Sequence, residues 1–425
     1  MTIPTLARPA MRGAGRYRSP EALVFAGATA AGLVHGLDDA FVHRGPGLGL
    51  GQHAVAGALA LIAAVAGVVA FPRLRPGLRT ALAFGFGTLA LVNGMLHVAH
   101  LREHGAAEGD LTGVLAAAGG VALIALAAWI PWAHRGGGGG PAWRRWAIRV
   151  LVVPAGAIAV FLTVLPIGMA IFDAHKPRTP VGDPPPGYRE VAFRASDGLR
   201  LAGWYRPSRN GAAVLLVHGG GGDRTGPLRH ARMLARHGYG VLLYDARGRG
   251  ESEGSPNGYG WKWTKDVDGA MRFLEHRPEV DPGRMGALGI STGADVLLDA
   301  AAHRSDIRAL VTDGAAAGSY EDWHRLQGGN AGMAFFLSQF TALRVLTGDP
   351  PGKPLADLVP RIAAPMLMIS ADRHEEYDFN VLYARLARGR AEHWNLADTG
   401  HTHGLRDHPR AYERRVAGFF DRALG

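Results

Sequence analysis

A serine lies between two closely spaced glycines in the segment Gly289-Ile290-Ser291-Thr292-Gly293. The segment follows a short apolar run typical of a buried strand and precedes a run with helical spacing. A serine on a tight strand-to-helix turn is exposed for nucleophilic attack, and its glycine neighbours are needed because larger side chains would collide with adjacent backbone. The pattern therefore predicts acyl transfer with Ser291 as the nucleophile.

A serine nucleophile needs a base, and His401 is the main candidate. It lies in Thr399-Gly400-His401, just after the last predicted strand, so it is expected in a loop above the edge of the sheet. Two neighbouring histidines compete with it. His403 lies two residues further on, and His393 lies inside the predicted strand.

The carboxylate that orients the base is expected in the segment 371–378, after another predicted strand. Its candidates are Glu375 and Glu376, which we place just before a helix, with Asp372 as the fallback. The alternative for the spare acids is a solvated helix N-terminus, where carboxylates are common.

A glycine run is the candidate oxyanion hole. Gly219 and Gly220 follow His218 and an apolar strand, and glycine lets backbone N–H groups approach a tetrahedral oxyanion closely. We assign one donor to the N–H of Thr292 and the other to Gly219 or Gly220. A flexible surface loop is the alternative for this run.

Alternating short apolar runs and helical patterns begin at residue 188 and predict a doubly wound, mostly parallel, eight-stranded α/β sheet. The predicted strands are Glu190–Arg194, Leu199–Tyr205, Ala213–Val217, Gly240–Tyr244, Met285–Ile290, Ala309–Asp313, Met366–Ser370 and Glu392–Leu396. The predicted helices are Pro227–Arg236, Lys265–His276, Thr292–Ala302, Asn380–Ala387 and Pro409–Leu424. About 50 residues separate Asp313 from Met366, far more than a plain crossover needs. We interpret residues 314–362 as a short lid, in which Trp323 and the run 333–337 either line an acyl pocket or pack as an ordinary helix.

These residues resemble the α/β-hydrolase superfamily, in its serine esterase and peptidase-like branch, over residues 188–425. The segment 244–252, which contains Asp245 and Arg247, is similar to the D-x-R-G-x-G-x-S segment of that branch. By that analogy, Asp245 and Arg247 brace the loops beside the site. The resemblance implies the strand order 1-2-4-3-5-6-7-8 with an antiparallel second strand. It also favours His401 as the base, because a Gly-His pair past the last strand is the family pattern.

Residues 1–175 have a different composition, rich in Ala, Gly, Leu and Val. Five stretches approach the length that crosses a bilayer, whereas a soluble helix bundle would show polar stripes. They are Glu21–Leu37, Gln52–Phe71, Thr80–Ala99, Leu111–Trp132 and Val150–Phe172. We therefore predict a transmembrane helical domain of about five helices, a linker at 176–187 and a hydrolase domain at 188–425.

Arginines alternate between the connections of these stretches. They are concentrated in the N-terminal tail and in the loops near residues 73–79 and 135–149, which predicts that these segments are cytoplasmic. The sequence therefore predicts a multi-pass protein of the cell membrane, with its hydrolase domain on the extracytoplasmic side.

Ionisable residues lie in or at the ends of the same helices: His35, Asp38, Asp39, His43, His53, His97 and His100. Such groups are costly at membrane depth and often functional, so a metal or proton site is one hypothesis. The favoured alternative is that they face water at the outer interface, and we assign no metal.

The sequence therefore predicts a membrane-anchored serine hydrolase of a carboxylic ester or related acyl bond, with a small-molecule or lipid-like substrate and no cofactor. Peptidase or acyltransferase activity and a catalytically inactive membrane sensor or scaffold are the alternatives. The absence of cysteine excludes thiol catalysis. The net charge of +10 is not gathered into a basic stretch with interleaved aromatics, so no nucleic-acid partner is expected.

Overall fold

The computed structural model describes residues 17–43, 53–104, 109–134, 143, 158, 160–175, 178, 180–328, 331–371 and 374–425. The chain divides into two compact units. The first comprises Met1–Arg44 and Leu50–Phe172, and the second comprises Gly45–Gly49 and Asp173–Gly425. Parts of the predicted linker and the glycine run 136–140 lie outside the described residues.

The first unit is helical. In chain order its helices are α1 (Pro20–Leu37), α2 (Ala54–Ala70), α3 (Pro76–His104), α4 (Asp110–Ala133) and α5 (Leu165–Ala174), the last of which ends in the second unit. A π-helical turn, Asp38–Val42, continues α1. Ser19 begins α1 as its N-cap, because the side chain accepts a hydrogen bond from the Ala22 amide at 3.3 Å.

Three of the described helices are long and apolar enough to cross a bilayer: Ala54–Arg73, Pro76–Ala99 and Asp110–Ala133. Helix α1, predicted as the first crossing, is not among them. The fifth predicted span, Val150–Phe172, lies in large part outside the described residues. The structure therefore supports three of the five predicted crossings by length and composition.

Helices α3 and α4 pack with their backbones in contact. A Cβ at Gly94 would collide with the backbone of Gly113 and Ala117, and a Cβ at Gly120 would collide with the backbone of Gly87 and Leu91. Small residues at helix crossings are typical of helices that pack within membranes, where close backbone approach replaces the hydrophobic effect as the source of stability.

The second unit is built on one eight-stranded sheet. Its strands are β1 (Arg189–Arg194), β2 (Arg200–Arg206), β3 (Ala213–Val217), β4 (Gly240–Tyr244), β5 (Met285–Ile290), β6 (Ala309–Asp313), β7 (Met366–Ala371) and β8 (Ala391–Leu396). Each lies within one residue of its prediction. The order is β1-β2-β4-β3-β5-β6-β7-β8, and β2 pairs antiparallel with both of its neighbours. The strand order implied by the resemblance is therefore confirmed.

Helices cover both faces of the sheet. They are α6 (Leu228–Arg236), α7 (Trp263–Glu275), α8 (Thr292–Ala301), α9 (Tyr320–Gln327), α10 (Ala331–Thr347), α11 (Leu355–Leu358), α12 (His374–Leu386), α13 (Gly404–Asp407) and α14 (Pro409–Leu424). Residues of α7, α8 and α12 share one apolar core, and residues of α6 and α14 share the other. Strands β3, β4, β6 and β7 are buried along their whole length, as strands covered on both faces should be.

The long insertion between β6 and β7 is helical and contains α9, α10 and α11. Asp322 fixes its first helix, because its carboxylate accepts hydrogen bonds from the amides of Leu355 (2.9 Å) and Ala356 (3.1 Å). Trp323 stacks on Phe336 with ring centroids 5.0 Å apart and packs edge-on against Phe379 of α12. These aromatic residues of the insertion therefore pack on the core of the second unit, and the rings of Trp323 and Phe336 keep part of their surface accessible.

One predicted helix was too short. We expected it at Asn380–Ala387, with Glu375 and Glu376 in the preceding loop, whereas α12 begins at His374. Carboxylates in a first turn are favoured by the helix dipole, which is consistent with a helix that begins at His374. Both glutamates therefore lie in the first turn of the helix.

Candidate active site

Ser291 occupies the turn between β5 and α8. Its backbone has φ 53° and ψ −124°, a conformation that non-glycine residues rarely adopt. The Ser291 amide donates to the carbonyl of Asp313 at the end of β6 (2.8 Å), and the Ser291 carbonyl accepts from the Ala294 amide (2.7 Å). These contacts hold a strained turn in place, as expected where the geometry serves a function.

The glycines on either side allow this turn to form. A Cβ at Gly289 would collide with the backbone of Gly293, and a Cβ at Gly293 would collide with the carbonyl oxygens of Val217 and His218. The need for small residues on both sides of the serine, expected from the sequence, is therefore a property of the folded backbone.

His401 and Glu376 complete a chain of hydrogen bonds with the serine. The Ser291 hydroxyl donates to Nε2 of His401 at 2.9 Å, and Nδ1–H of His401 donates to Oε2 of Glu376 at 2.6 Å. Because the carboxylate can only accept, Nδ1 carries the proton and the lone pair of Nε2 faces the serine. The imidazole is therefore in the tautomer that a general base requires.

Glu376 is buried, with 5% of its surface accessible, and its second oxygen accepts from the Ala371 amide at 2.7 Å. Glu375, one residue earlier, is exposed. Asp372 lies outside the described residues. Of the two glutamates left open by the sequence, the structure brings only Glu376 to His401.

The competing histidines point elsewhere. Nε2 of His393 lies 2.8 Å from the Ser370 hydroxyl, between β7 and β8. His403 begins the short helix α13 and lies beside Gly400. His401 reaches the serine because Gly314 lies beneath its ring, where a Cβ would come within 2.7 Å of Cε1.

The glycine loop after β3 lies beside Ser291. A Cβ at Gly219 would lie 3.3 Å from that of Ser291, and one at Gly220 would lie 2.7 Å from the Thr292 hydroxyl. His218 supports this loop, since its Nδ1–H donates to the Gly219 carbonyl (2.7 Å) and its Nε2 accepts from the Ala246 amide (3.0 Å). Burial lowers the pKa of His218 to about 4, so it stays neutral and keeps both bonds.

The D-x-R-G-x-G-x-S segment has a bracing role. The Asp245 carboxylate accepts from the amides of Arg224 (2.8 Å) and Glu251 (2.9 Å). Arg247 forms ion pairs with Asp266 (2.7 Å) and Asp197 (2.9 Å). These contacts fix the loops at the same edge of the sheet, as the resemblance implied.

Two aspartates near the site, the buried Asp313 and the partly exposed Asp295, were not among the candidates found from the sequence. Asp313 accepts from the Tyr412 hydroxyl at 2.7 Å, and Asp295 accepts from the Ala316 amide at 2.7 Å. Burial raises the pKa of Asp313 to about 6 and that of Asp295 to about 7. Two features of the sequence could have identified them: Asp313 lies at the end of a predicted strand, and Asp295 lies one helical turn after Ser291.

A cleft of about 240 Å³ lies between the insertion that follows β6 and the start of α8, with Trp261, Lys262, Asp295, Lys353 and Leu355 in its walls. Its lining includes neither Ser291 nor His401 among the described residues.

Comparison with known proteins places this geometry in context. The sequence profile of X-Pro dipeptidyl-peptidase (S15 family) matches residues 186–411, just over half of the chain. An uncharacterised protein of Mycobacterium tuberculosis is 32% identical over 162 residues, which are 37% of this chain and 56% of that protein. A thiohydrolase of Aspergillus aculeatus is 33% identical over 129 residues, which are 29% of this chain and 41% of that protein. The chain thus spans little more than half the length of the first of these curated relatives. An esterase structure from Pyrococcus furiosus aligns with 59% of this chain and 99% of its own, at 22% identity and a TM-score of 0.47.

Proposed function

Because this chain belongs to the X-Pro dipeptidyl-peptidase family (S15), we propose that its hydrolase activity is a two-step acyl transfer in which Ser291 is the nucleophile. His401 is the general base and Glu376 the carboxylate that orients it. The observation that carries this proposal is the unbroken chain of hydrogen bonds from Ser291 Oγ through His401 to Glu376, at 2.9 and 2.6 Å.

In the first step Ser291 Oγ attacks the substrate carbonyl while its proton passes to Nε2 of His401. The Glu376 carboxylate stabilises the imidazolium that forms. The N–H of Thr292 and that of Gly219 or Gly220 stabilise the oxyanion of the tetrahedral intermediate. The intermediate collapses to an acyl-enzyme as His401 protonates the leaving group. In the second step water loses its proton to His401 and attacks the acyl-enzyme, and His401 then returns the proton to Ser291 Oγ as the acid is released.

A fluorophosphonate probe tests the nucleophile. We expect the full chain to be labelled once and Ser291→Ala to remain unlabelled. Ser305→Ala is the matched control, since Ser305 is exposed in a loop after α8. Absence of labelling in the wild type would support the alternative of a catalytically inactive sensor or scaffold.

The proposed substrate is a hydrophobic ester or thioester of a small-molecule or lipid-like acyl group. Its support is the aromatic surface of the lid around Trp323 and Phe336, together with the similarity to a thiohydrolase. We expect the kcat/KM for p-nitrophenyl esters to rise with acyl chain length, and Phe336→Ala to flatten that rise. A preference for acetate that persists in Phe336→Ala would contradict this assignment.

A peptidase is the second candidate, and the family description favours it. Hydrolysis of an X-Pro p-nitroanilide, lost in Ser291→Ala and faster than that of every p-nitrophenyl ester, would establish the peptidase.

We also propose that the helical unit anchors the enzyme in the cell membrane, with the hydrolase domain on the extracytoplasmic side. The chain contains no cysteine, so single cysteines can be introduced without background. In intact cells a membrane-impermeant maleimide should label Ser305→Cys. It should spare Arg75→Cys, between α2 and α3, until the cells are opened. The reverse pattern would invert the proposed orientation.

A further inference from the structure

A second cluster of polar side chains lies in the helical unit, where α1 ends. His35 of α1, Asp39 of the π-helical turn and His97 of α3 each direct one ligand atom inward, and these atoms lie within 4.8 Å of one another. Nε2 of His35 lies 3.4 Å from Oδ2 of Asp39, and Nε2 of His97 lies 3.7 Å from the same oxygen. From the sequence we expected these residues to face water. That expectation is wrong for His35, which is fully buried because α1, α3 and α4 pack around it.

Neighbouring residues determine which ring nitrogens carry protons. The Thr112 hydroxyl has one hydrogen, which it donates to Asp38 (2.7 Å) or to the Gly109 carbonyl (2.9 Å). It therefore accepts from Nδ1–H of His35, at 3.2 Å. The lone pair of His35 then lies on Nε2, the nitrogen that faces Asp39.

His97 is fixed in the same way. Its Nδ1–H donates to Oδ1 of Asp110 at 3.1 Å, because a carboxylate can only accept. In the neutral ring the lone pair of His97 then lies on Nε2, which also faces Asp39. Two imidazole nitrogens and one carboxylate oxygen thus converge on a single point, an arrangement that a cation between them would stabilise.

The spacing matches a metal ion better than direct hydrogen bonds. The distances from Asp39 exceed an ordinary N–H···O bond by several tenths of an ångström. Ligands about 2.0–2.1 Å from a tetrahedral Zn²⁺ ion lie about 3.4 Å from one another, close to the observed 3.4 and 3.7 Å.

The two histidines have hydrogen-bond partners of the kind that are found around metal ligands. A ligating histidine usually donates its other N–H to a carboxylate or another oxygen, which fixes the ring and raises its basicity. Asp110 does this for His97, and Thr112 does it for His35. Gly113 leaves room for the His97 ring, because a Cβ there would collide with it.

We propose that His35, Asp39 and His97 bind one divalent transition-metal ion, with Zn²⁺ as the best match. Two imidazoles and one carboxylate favour such an ion over Mg²⁺ or Ca²⁺, which prefer oxygen ligands. The three residues supply three positions of a tetrahedral shell, and the fourth accepts water or another ligand. The site is independent of Ser291 and of the proposed acyl transfer.

The test uses the full chain purified in detergent, stripped with a chelator and dialysed against Zn²⁺. Elemental analysis should find about one equivalent of Zn²⁺ per chain. His35→Gln, His97→Gln and Asp39→Asn should each retain less than a fifth of that amount. His134→Gln is the matched control and should keep full occupancy, since His134 also pairs with a carboxylate, Oε1 of Glu21 at 3.1 Å. Substitution with Co²⁺ should give visible d–d bands in the wild type and in His134→Gln alone.

A variant that removes only a hydrogen-bond partner of a ligand distinguishes weaker metal binding from misfolding. Thr112→Val keeps all three ligands and should weaken Zn²⁺ binding about 10- to 100-fold without changing the elution profile of the chain. The proposal is overturned if the wild type binds no more Zn²⁺ than the three ligand variants. That result would indicate that a shared proton, rather than a metal ion, joins the two histidines through Asp39.

Discussion

Replacement of Glu376 by glutamine tests the proposed chemistry most directly, because the two residues have the same shape and differ in one hydrogen-bonding group. The carboxylate accepts two hydrogen bonds, from Nδ1–H of His401 (2.6 Å) and from the Ala371 amide (2.7 Å). A glutamine side chain has a single carbonyl oxygen and can satisfy one of these donors only.

Either orientation of the glutamine side-chain amide disrupts one of these two hydrogen bonds. If its NH₂ group faces His401, the ring must present the Nδ1 lone pair, and Nε2–H can no longer take the proton of Ser291. If the NH₂ group faces the Ala371 amide, two donors oppose each other in a buried place. The first orientation avoids that conflict, so we expect the wrong tautomer of His401 to predominate.

A wrong tautomer at this position costs about 10⁴-fold in kcat, which corresponds to about 5 kcal/mol of transition-state stabilisation. We expect Glu376→Gln to lose about 10³- to 10⁴-fold in both kcat for a p-nitrophenyl ester and the rate of fluorophosphonate labelling. Glu376→Asp, which withdraws the carboxylate by about 1.5 Å, should lose less. Glu375→Gln is the adjacent control and should stay within about twofold of the wild type, because its side chain is exposed.

The proposed role of Glu376 is wrong if Glu376→Gln keeps more than a tenth of the wild-type rate, or if Glu375→Gln loses as much as Glu376→Gln. In the first case another carboxylate must orient His401. Asp313 and Asp295 would then be the groups to replace next, since both interact electrostatically with His401.

Three further outcomes follow from the structure. Gly293→Ala should abolish labelling and lower the unfolding temperature of the hydrolase domain, because its Cβ would meet the Val217 carbonyl and such overpacking costs about 1–3 kcal/mol; unchanged labelling would contradict the turn geometry. Burial raises the pKa of Asp295 from 3.8 to about 7, so the folded state binds a proton that the unfolded state releases, and this contribution to stability declines as pH rises from about 4 to 7. The stability of Asp295→Asn relative to the wild type should therefore increase between pH 4.5 and 7.5, measured by urea midpoints. A difference between the two proteins that does not change with pH would exclude this titration. Gly94→Val should force α3 away from the Ala117 backbone and lower the temperature at which the helical signal in detergent is lost; an unchanged temperature would refute the direct backbone contact.

Much of the fold was accessible from the sequence. Strands such as β3 and β5 are short apolar runs between turn residues, and their bounds could be predicted within one residue because burial on both faces leaves no polar position. The strand order could not be derived from these patterns, and it came from the family resemblance. The start of α12 was missed because the polar residues 374–378 fit a loop as well as the first turn of a helix.

At both sites, local sequence patterns predicted some features and tertiary packing determined the others. The sequence by itself determined that Ser291 lies on a strand-to-helix turn, since the flanking glycines and the periodicity around them are local properties. Adjacent glutamates differ by about 100° around a helix axis, so only the packing of α12 against β7 decided that Glu376 and not Glu375 reaches His401. Likewise, 62 positions separate His35 from His97, and only the close packing of α1, α3 and α4 brought their nitrogens to Asp39. Such packing brings residues that are distant along the chain into one site, and no local sequence pattern shows which residues will meet.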